Sequence, residues 1–173
     1  GQRHWGERPE GGKDFVYHAR VVENNFDWEK SCFLNHPFED LVIYEMHVRG
    51  FTRDASSGVK APGTFEGLRE KIPYLKDLGI NAVELMPIFE FDEMEGHRVV
   101  DGEELYNYWG YNTVSFFSPN TSYAFREEHN HEGDELKHLI RELKENGIEV
   151  ILDVVFNHTA EGNEMGPSFC FKG

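Results

Sequence analysis

Three short apolar stretches constrain this chain more than any other feature. Leu41-Val42-Ile43-Tyr44-Glu45-Met46-His47-Val48, Ile80-Asn81-Ala82-Val83-Glu84-Leu85-Met86 and Ile148-Glu149-Val150-Ile151-Leu152-Asp153-Val154-Val155 are rich in β-branched and aliphatic residues. Their length and composition predict strands, the first of them buried on both faces. Helical patterns lie between. Phe65, Leu68, Ile72, Leu75 and Leu78 recur at three- and four-residue steps, with Thr64 placed to cap the start and Gly79 the end. Pro73 removes an amide donor inside that pattern, so a kink or a second helical segment is expected there. Leu136, Leu139, Ile140 and Leu143 mark another helix, with Asp134 at its cap and Asn146-Gly147 at its end.

The order β-α-β-α-β requires parallel strands joined by right-handed crossovers. Such a chain suits an open doubly wound sheet or the first part of a closed α/β barrel. No glycine-rich phosphate loop follows the first strand, which weakens a nucleotide-binding reading. The 173 residues fall short of the roughly 250 that a complete eight-stranded barrel needs. Between Pro87 and about residue 132 no periodicity is sustained, and an ordered loop of that size is usually functional. Residues 1–37 are polar and turn-rich and read as a linker or the end of a preceding module, with a domain beginning at residue 38.

Charge narrows the partners. Seventeen basic against thirty-two acidic residues give a net charge of −15, which repels nucleic-acid phosphates and anionic membranes. No run is long and apolar enough to span a bilayer. Cys32 and Cys170 form no paired metal-ligand spacing and read as free thiols of a reducing compartment. His129, His131 and His138 match no zinc spacing and read as chance neighbours.

In either parallel architecture ligands collect at the carboxyl ends of the strands, which directs attention to residues 47–51, 87–95 and 153–158. The loop after the second strand adds the aromatic cluster Tyr106-Asn107-Tyr108-Trp109-Gly110-Tyr111, in which Trp109 reads as a ring closing the core. Carboxylates, a histidine and an arginine beside such rings suit polyhydroxyl ligands.

These residues carry a resemblance. Tyr44-Glu45-Met46-His47-Val48-Arg49-Gly50-Phe51, Tyr108-Trp109-Gly110-Tyr111 and Asp153-Val154-Val155-Phe156-Asn157-His158-Thr159 occur in the order and approximate spacing of the first three barrel strands of the α-amylase superfamily. The first motif and the continuation Thr159-Ala160-Glu161-Gly162-Asn163-Glu164 most resemble its isoamylase and glycogen-debranching branch.

The resemblance implies a partial (β/α)8 barrel over about residues 38–173, comprising three strands, two helices and a long second loop. It also implies a retaining glycosidase that cleaves α-1,6 branch points of glycogen or amylopectin-like glucans, in bacterial cytoplasm or a plant plastid. The family's three catalytic acids follow later strands, so none is assigned here. Tyr111 matches the tyrosine that stacks under the sugar, His158 the histidine that bonds its hydroxymethyl group, and Asp153 an aspartate that organises the site. No cofactor is required. Calcium is a possible ligand through Asn157, or through Glu90, Glu93 and Asn120, which align approximately with a calcium site of some isoamylases. The rival expectations are a pullulanase-type or trehalose-releasing relative and a non-catalytic glucan-binding protein.

Overall fold

The computed structural model describes residues 21–125 and 132–162. In chain order its elements are β1 (Ile43–Met46), α1 (Val48–Thr52), α2 (Phe65–Arg69), α3 (Ile72–Leu78), β2 (Ala82–Leu85), β3 (Phe89–Phe91), β4 (Arg98–Val100), β5 (Glu103–Leu105), β6 (Thr113–Pro119), α4 (Glu132–Glu145) and β7 (Glu149–Leu152). Strands β1, β2 and β7 form one parallel sheet in the order β1-β2-β7. Its registers align Met46 with Leu85 and Leu85 with Leu152, so all three strands end on one row.

The helical punctuation follows from local chemistry. Thr64 accepts a hydrogen bond from the Gly67 amide at the start of α2. Pro73 lies in the first turn of α3, where its missing N–H costs nothing, and two helices replace one kinked helix. Gly79 and Gly147 follow α3 and α4 with φ of 82° and 79°, a conformation that favours glycine. Asp134 is not the cap expected of it: α4 already starts at Glu132, so Asp134 lies within its first turn.

Alternation along the strands separates two faces. Tyr44, Met46, Val83, Leu85, Val150 and Leu152 point to the helices and join Leu68, Leu75, Leu139 and Leu143 in the core. The opposite face carries Ile43, Glu45, Glu84 and Ile151. Ile43 is 45% exposed and Glu45 is exposed. The expectation that β1 is buried on both faces is therefore corrected. Glu45 interrupts the apolar run at the position facing away from the helices, and among the described residues that face of β1 stays exposed at Ile43 and Glu45.

The long second loop contains more regular structure than its lack of periodicity suggested. Strands β3 and β6 pair antiparallel with register shifts, and β4 and β5 form a hairpin. The hairpin turns on Asp101-Gly102, both with positive φ, the geometry of a two-residue primed turn. Upstream of β1, residues 26–36 lie along α4 and the start of β7. Glu149 Oε1 accepts from the Leu34 amide at 2.6 Å, Arg141 donates to the Asp27 carbonyl at 2.8 Å, and Phe26 packs edge-on against His138. Cys32 is a free, exposed thiol, while Cys170, His129 and His131 lie outside the described residues.

Leu139 is fully buried where α4 meets the sheet. Leu139→Ala is expected to cost about 2–5 kcal/mol, read as a lowered urea midpoint with little change in slope.

Candidate functional site

The shared end row of the sheet places His47, Met86 and Asp153 side by side. The Met86 amide donates to the Met46 carbonyl at 3.0 Å, and the Asp153 amide to the Leu85 carbonyl at 3.0 Å. Asp153 thus emerges at the carboxyl end of β7, on the face that carries Glu45 and Glu84.

Tyr111 reaches this edge from the loop between β5 and β6. Its hydroxyl donates to Asp153 Oδ2 at 2.6 Å. Its carbonyl lies 2.7 Å from His158 Nε2. Tyr111, Asp153 and His158, separated by up to 47 positions, are therefore brought together. The Asp153 carboxylate, with smaller contributions from burial and from Glu45 and Glu84, pushes the Tyr111 phenol up to about 12. Tyr111 stays protonated and keeps its ring pinned at one edge, while the residue remains 37% exposed.

Both His158 nitrogens are engaged, Nδ1 lying 3.0 Å from Asn157 Oδ1. A neutral imidazole has one N–H and cannot donate to two carbonyl oxygens. With Nε2–H donating to Tyr111, the Asn157 amide must turn its NH2 toward Nδ1. The His158 partner open to displacement from solvent is then exposed Asn157 rather than the loop backbone.

The loop carrying Tyr111 is held from below. The Asn107 amide donates to the Glu93 carbonyl at 2.8 Å. Gly110 has φ of 81°, and a Cβ there would sit 2.6 Å from the Phe91 ring, so both conformation and space require glycine. Trp109 is 54% exposed, which corrects the expectation that it closes the core. That role falls to Tyr123, fully buried with edge contacts to Phe65 and Phe91.

His47 received no role from sequence, although residues 47–51 were marked as informative. It is 7% exposed and stacks on Tyr108 with ring centres 3.9 Å apart. A histidine directly after a strand and three residues before Gly50 was the available signal, and it is the N-cap of α1.

Glu90, Glu93 and Asn120 also converge, at the turn Thr121–Tyr123. Glu90 Oε2 accepts from the Thr121 amide at 2.8 Å, and Glu93 Oε1 accepts from Asn120 Nδ2 and Ser122 Oγ, each at 3.0 Å. Asn120 Oδ1 accepts from the Ser122 amide at 2.8 Å. Calcium takes roughly six to eight oxygen ligands. Here the named oxygens already receive protein donors, and among the described residues no group of three or more His, Cys, Asp or Glu side chains could hold a metal ion. Asn157, the other calcium candidate, is exposed on the loop after β7.

A parallel sheet whose strands end together, with helices on one face, is the architecture with which an α/β barrel begins. The family model of the alpha-amylase catalytic domain matches residues 31–166, and the chain belongs to that family. Its fold is part of the family's α/β barrel. It is 53% identical to Isoamylase 1, chloroplastic, of Arabidopsis thaliana over 87% of this chain and 20% of that protein. It is 44% identical to the Glycogen operon protein GlgX homolog of Mycobacterium tuberculosis over 88% of this chain and 21% of that one. Among solved structures, the pullulanase of Anoxybacillus sp. LM18-11 aligns with a TM-score of 0.64 at 33% identity, covering 79% of this chain and 20% of the other. The chain thus spans about a fifth of the length of the curated relatives it matches.

Two titrations probe this site. Asp153→Ala should return the Tyr111 phenol from about 12 toward the ordinary tyrosine value near 10, followed by NMR of ring-13C tyrosine; an unchanged Tyr111 titration would remove Asp153 as the cause. His47 is held below the ordinary histidine value mainly by burial, partly offset by its bond to Tyr108. The unfolded chain therefore takes up its proton first as pH falls, so stability from this residue declines below about pH 6.5. His47→Asn should flatten that part of the stability–pH curve, measured by urea unfolding.

Proposed function

We propose that this chain forms the opening part of the catalytic barrel of a debranching glycoside hydrolase, which cleaves α-1,6 branch points of glycogen- or amylopectin-like glucan with retention. The observation that carries the reading is the meeting of Tyr111, Asp153 and His158 at the carboxyl edge of the sheet, in a chain 53% identical to a plant isoamylase over most of its length.

Each residue has a physical task. The Tyr111 ring offers an apolar face to the C–H face of a pyranose, and its bond to Asp153 fixes the plane of that ring before sugar arrives. Asp153 contributes a fixed negative charge beside the anomeric region, where an oxocarbenium-like transition state develops positive charge. His158 accepts a hydrogen bond from a sugar hydroxyl at Nδ1 once Asn157 is displaced. The attacking carboxylate and the proton donor come from other parts of the barrel. Relatives named as chloroplastic and as products of a glycogen operon support a plastid or bacterial cytoplasmic setting.

A pullulanase is the second reading, favoured by the solved pullulanases that align with the fold. Reducing-end release from amylopectin, glycogen, pullulan and linear amylose separates the two when measured on a protein that carries this segment within its complete barrel. Preference for amylopectin and glycogen supports the isoamylase type. Preference for pullulan supports the second reading, and activity on none supports a glucan-binding relative. Tyr111→Ala is expected to lower kcat/KM on the preferred substrate by about 100-fold; unchanged kinetics would remove Tyr111 from the site.

A further inference from the structure

His47 joins two parts of the chain that sequence keeps 61 residues apart. Its Nδ1 accepts the Gly50 amide at 3.1 Å, which caps α1. Its Nε2 lies 2.7 Å from the Tyr108 carbonyl. Because Nδ1 receives a proton, the single ring proton resides on Nε2 and is donated to Tyr108, so geometry selects one neutral tautomer. The Tyr108 ring lies nearly parallel to the imidazole at 9°, and the Tyr123 hydroxyl lies 3.3 Å from Nε2.

Gly50 completes the arrangement, since a Cβ at this position would collide with the Tyr108 hydroxyl. Tyr108 is therefore gripped on its carbonyl and its ring by the chain that leaves β1. Three residues later, past the left-handed Gly110, stands Tyr111 with its hydroxyl on Asp153. The segment between these two attachments is too short to absorb much movement. Displacing Tyr108 displaces Tyr111.

We infer that His47 is a positioning residue for the sugar-stacking tyrosine: through its Nε2–H bond to the Tyr108 carbonyl it sets where the Tyr111 ring lies against Asp153, without touching substrate. The inference rests on the reading of Tyr111 as the sugar platform.

Two substitutions divide the bonds of His47. In His47→Asn the side-chain oxygen takes the place of Nδ1 and still caps α1, while the donor to Tyr108 is lost. In His47→Gln the longer amide places an N–H near the position of Nε2 and restores that donor. Measured in the complete-barrel enzyme on its preferred glucan, His47→Asn should lower kcat by about tenfold, the rate equivalent of one lost hydrogen bond, with KM changed less. His47→Gln should recover most of it. In the same proteins, Tyr111 should titrate below its wild-type value in His47→Asn and near it in His47→Gln. Equal behaviour of the two variants, or a His47→Asn protein with wild-type kcat and wild-type Tyr111 titration, would overturn the inference. If His47→Asn shifts the Tyr111 titration while Tyr111→Ala keeps full activity, the tie stands and the sugar-platform reading falls.

Discussion

Parallel pairing is the constraint on which the rest of this structure depends. A parallel strand cannot be joined to its neighbour by a tight turn, so the chain must travel back across the sheet before each new strand begins. Every such return leaves the strands' carboxyl ends on one edge. Here the registers are regular enough that Met46, Leu85 and Leu152 share a row. The next residues, His47 and Asp153, then stand at the same level without any special device. The helices α2, α3 and α4 fill one face with apolar side chains, and the polar remainder, Glu45 and Glu84 with Asp153, is left to the other face.

What turns this edge into a site is the excursion between β2 and α4. A segment of that length costs conformational entropy, and it is ordered by a few attachments rather than by a core of its own. Strands β3 and β6 pair across it, Glu93 and Asn120 join its two ends, and Tyr123 sits in the main core. The part between, residues 106–111, is tied to β1 through His47 and to β7 through Asp153 and His158. Tyr111 is consequently fixed at side chain and backbone while much of its ring stays open to solvent. Rigidity with one accessible face is what a flat ligand such as a pyranose requires.

The main sheet, helices α2 to α4 and the junction at Pro73 were legible in the sequence because each depends on local pattern: a short apolar run, a three-four spacing, a proline, a terminal glycine; α1 was not. Tyr111, Asp153 and His158 were legible only through family motifs, since nothing in their spacing predicts that they meet. Four loop strands escaped notice. Strands β4 and β5 are three residues each and exposed, too short to display alternation, although Asp101-Gly102 carried a hairpin signal. Strands β3 and β6 are irregular and distant in sequence, so their pairing depends on tertiary contacts. Trp109 was misjudged and His47 was passed over for a related reason. Hydrophobicity argued that the tryptophan was inside, yet its indole lies at the rim, while His47, which had been given no role, is buried by its stack on Tyr108 and its cap on α1.

On the proposed function, the carboxyl edge of this sheet holds one sugar between Tyr111 and His158. The most direct measurement is a crystal structure of the complete barrel with a branched maltooligosaccharide bound. The expected result is a pyranose lying over the Tyr111 ring, one of its hydroxyls within hydrogen-bonding distance of His158, Asn157 moved aside, and the bond from Tyr111 to Asp153 intact. A glucan bound elsewhere, with Tyr111 and His158 facing only solvent, would contradict it.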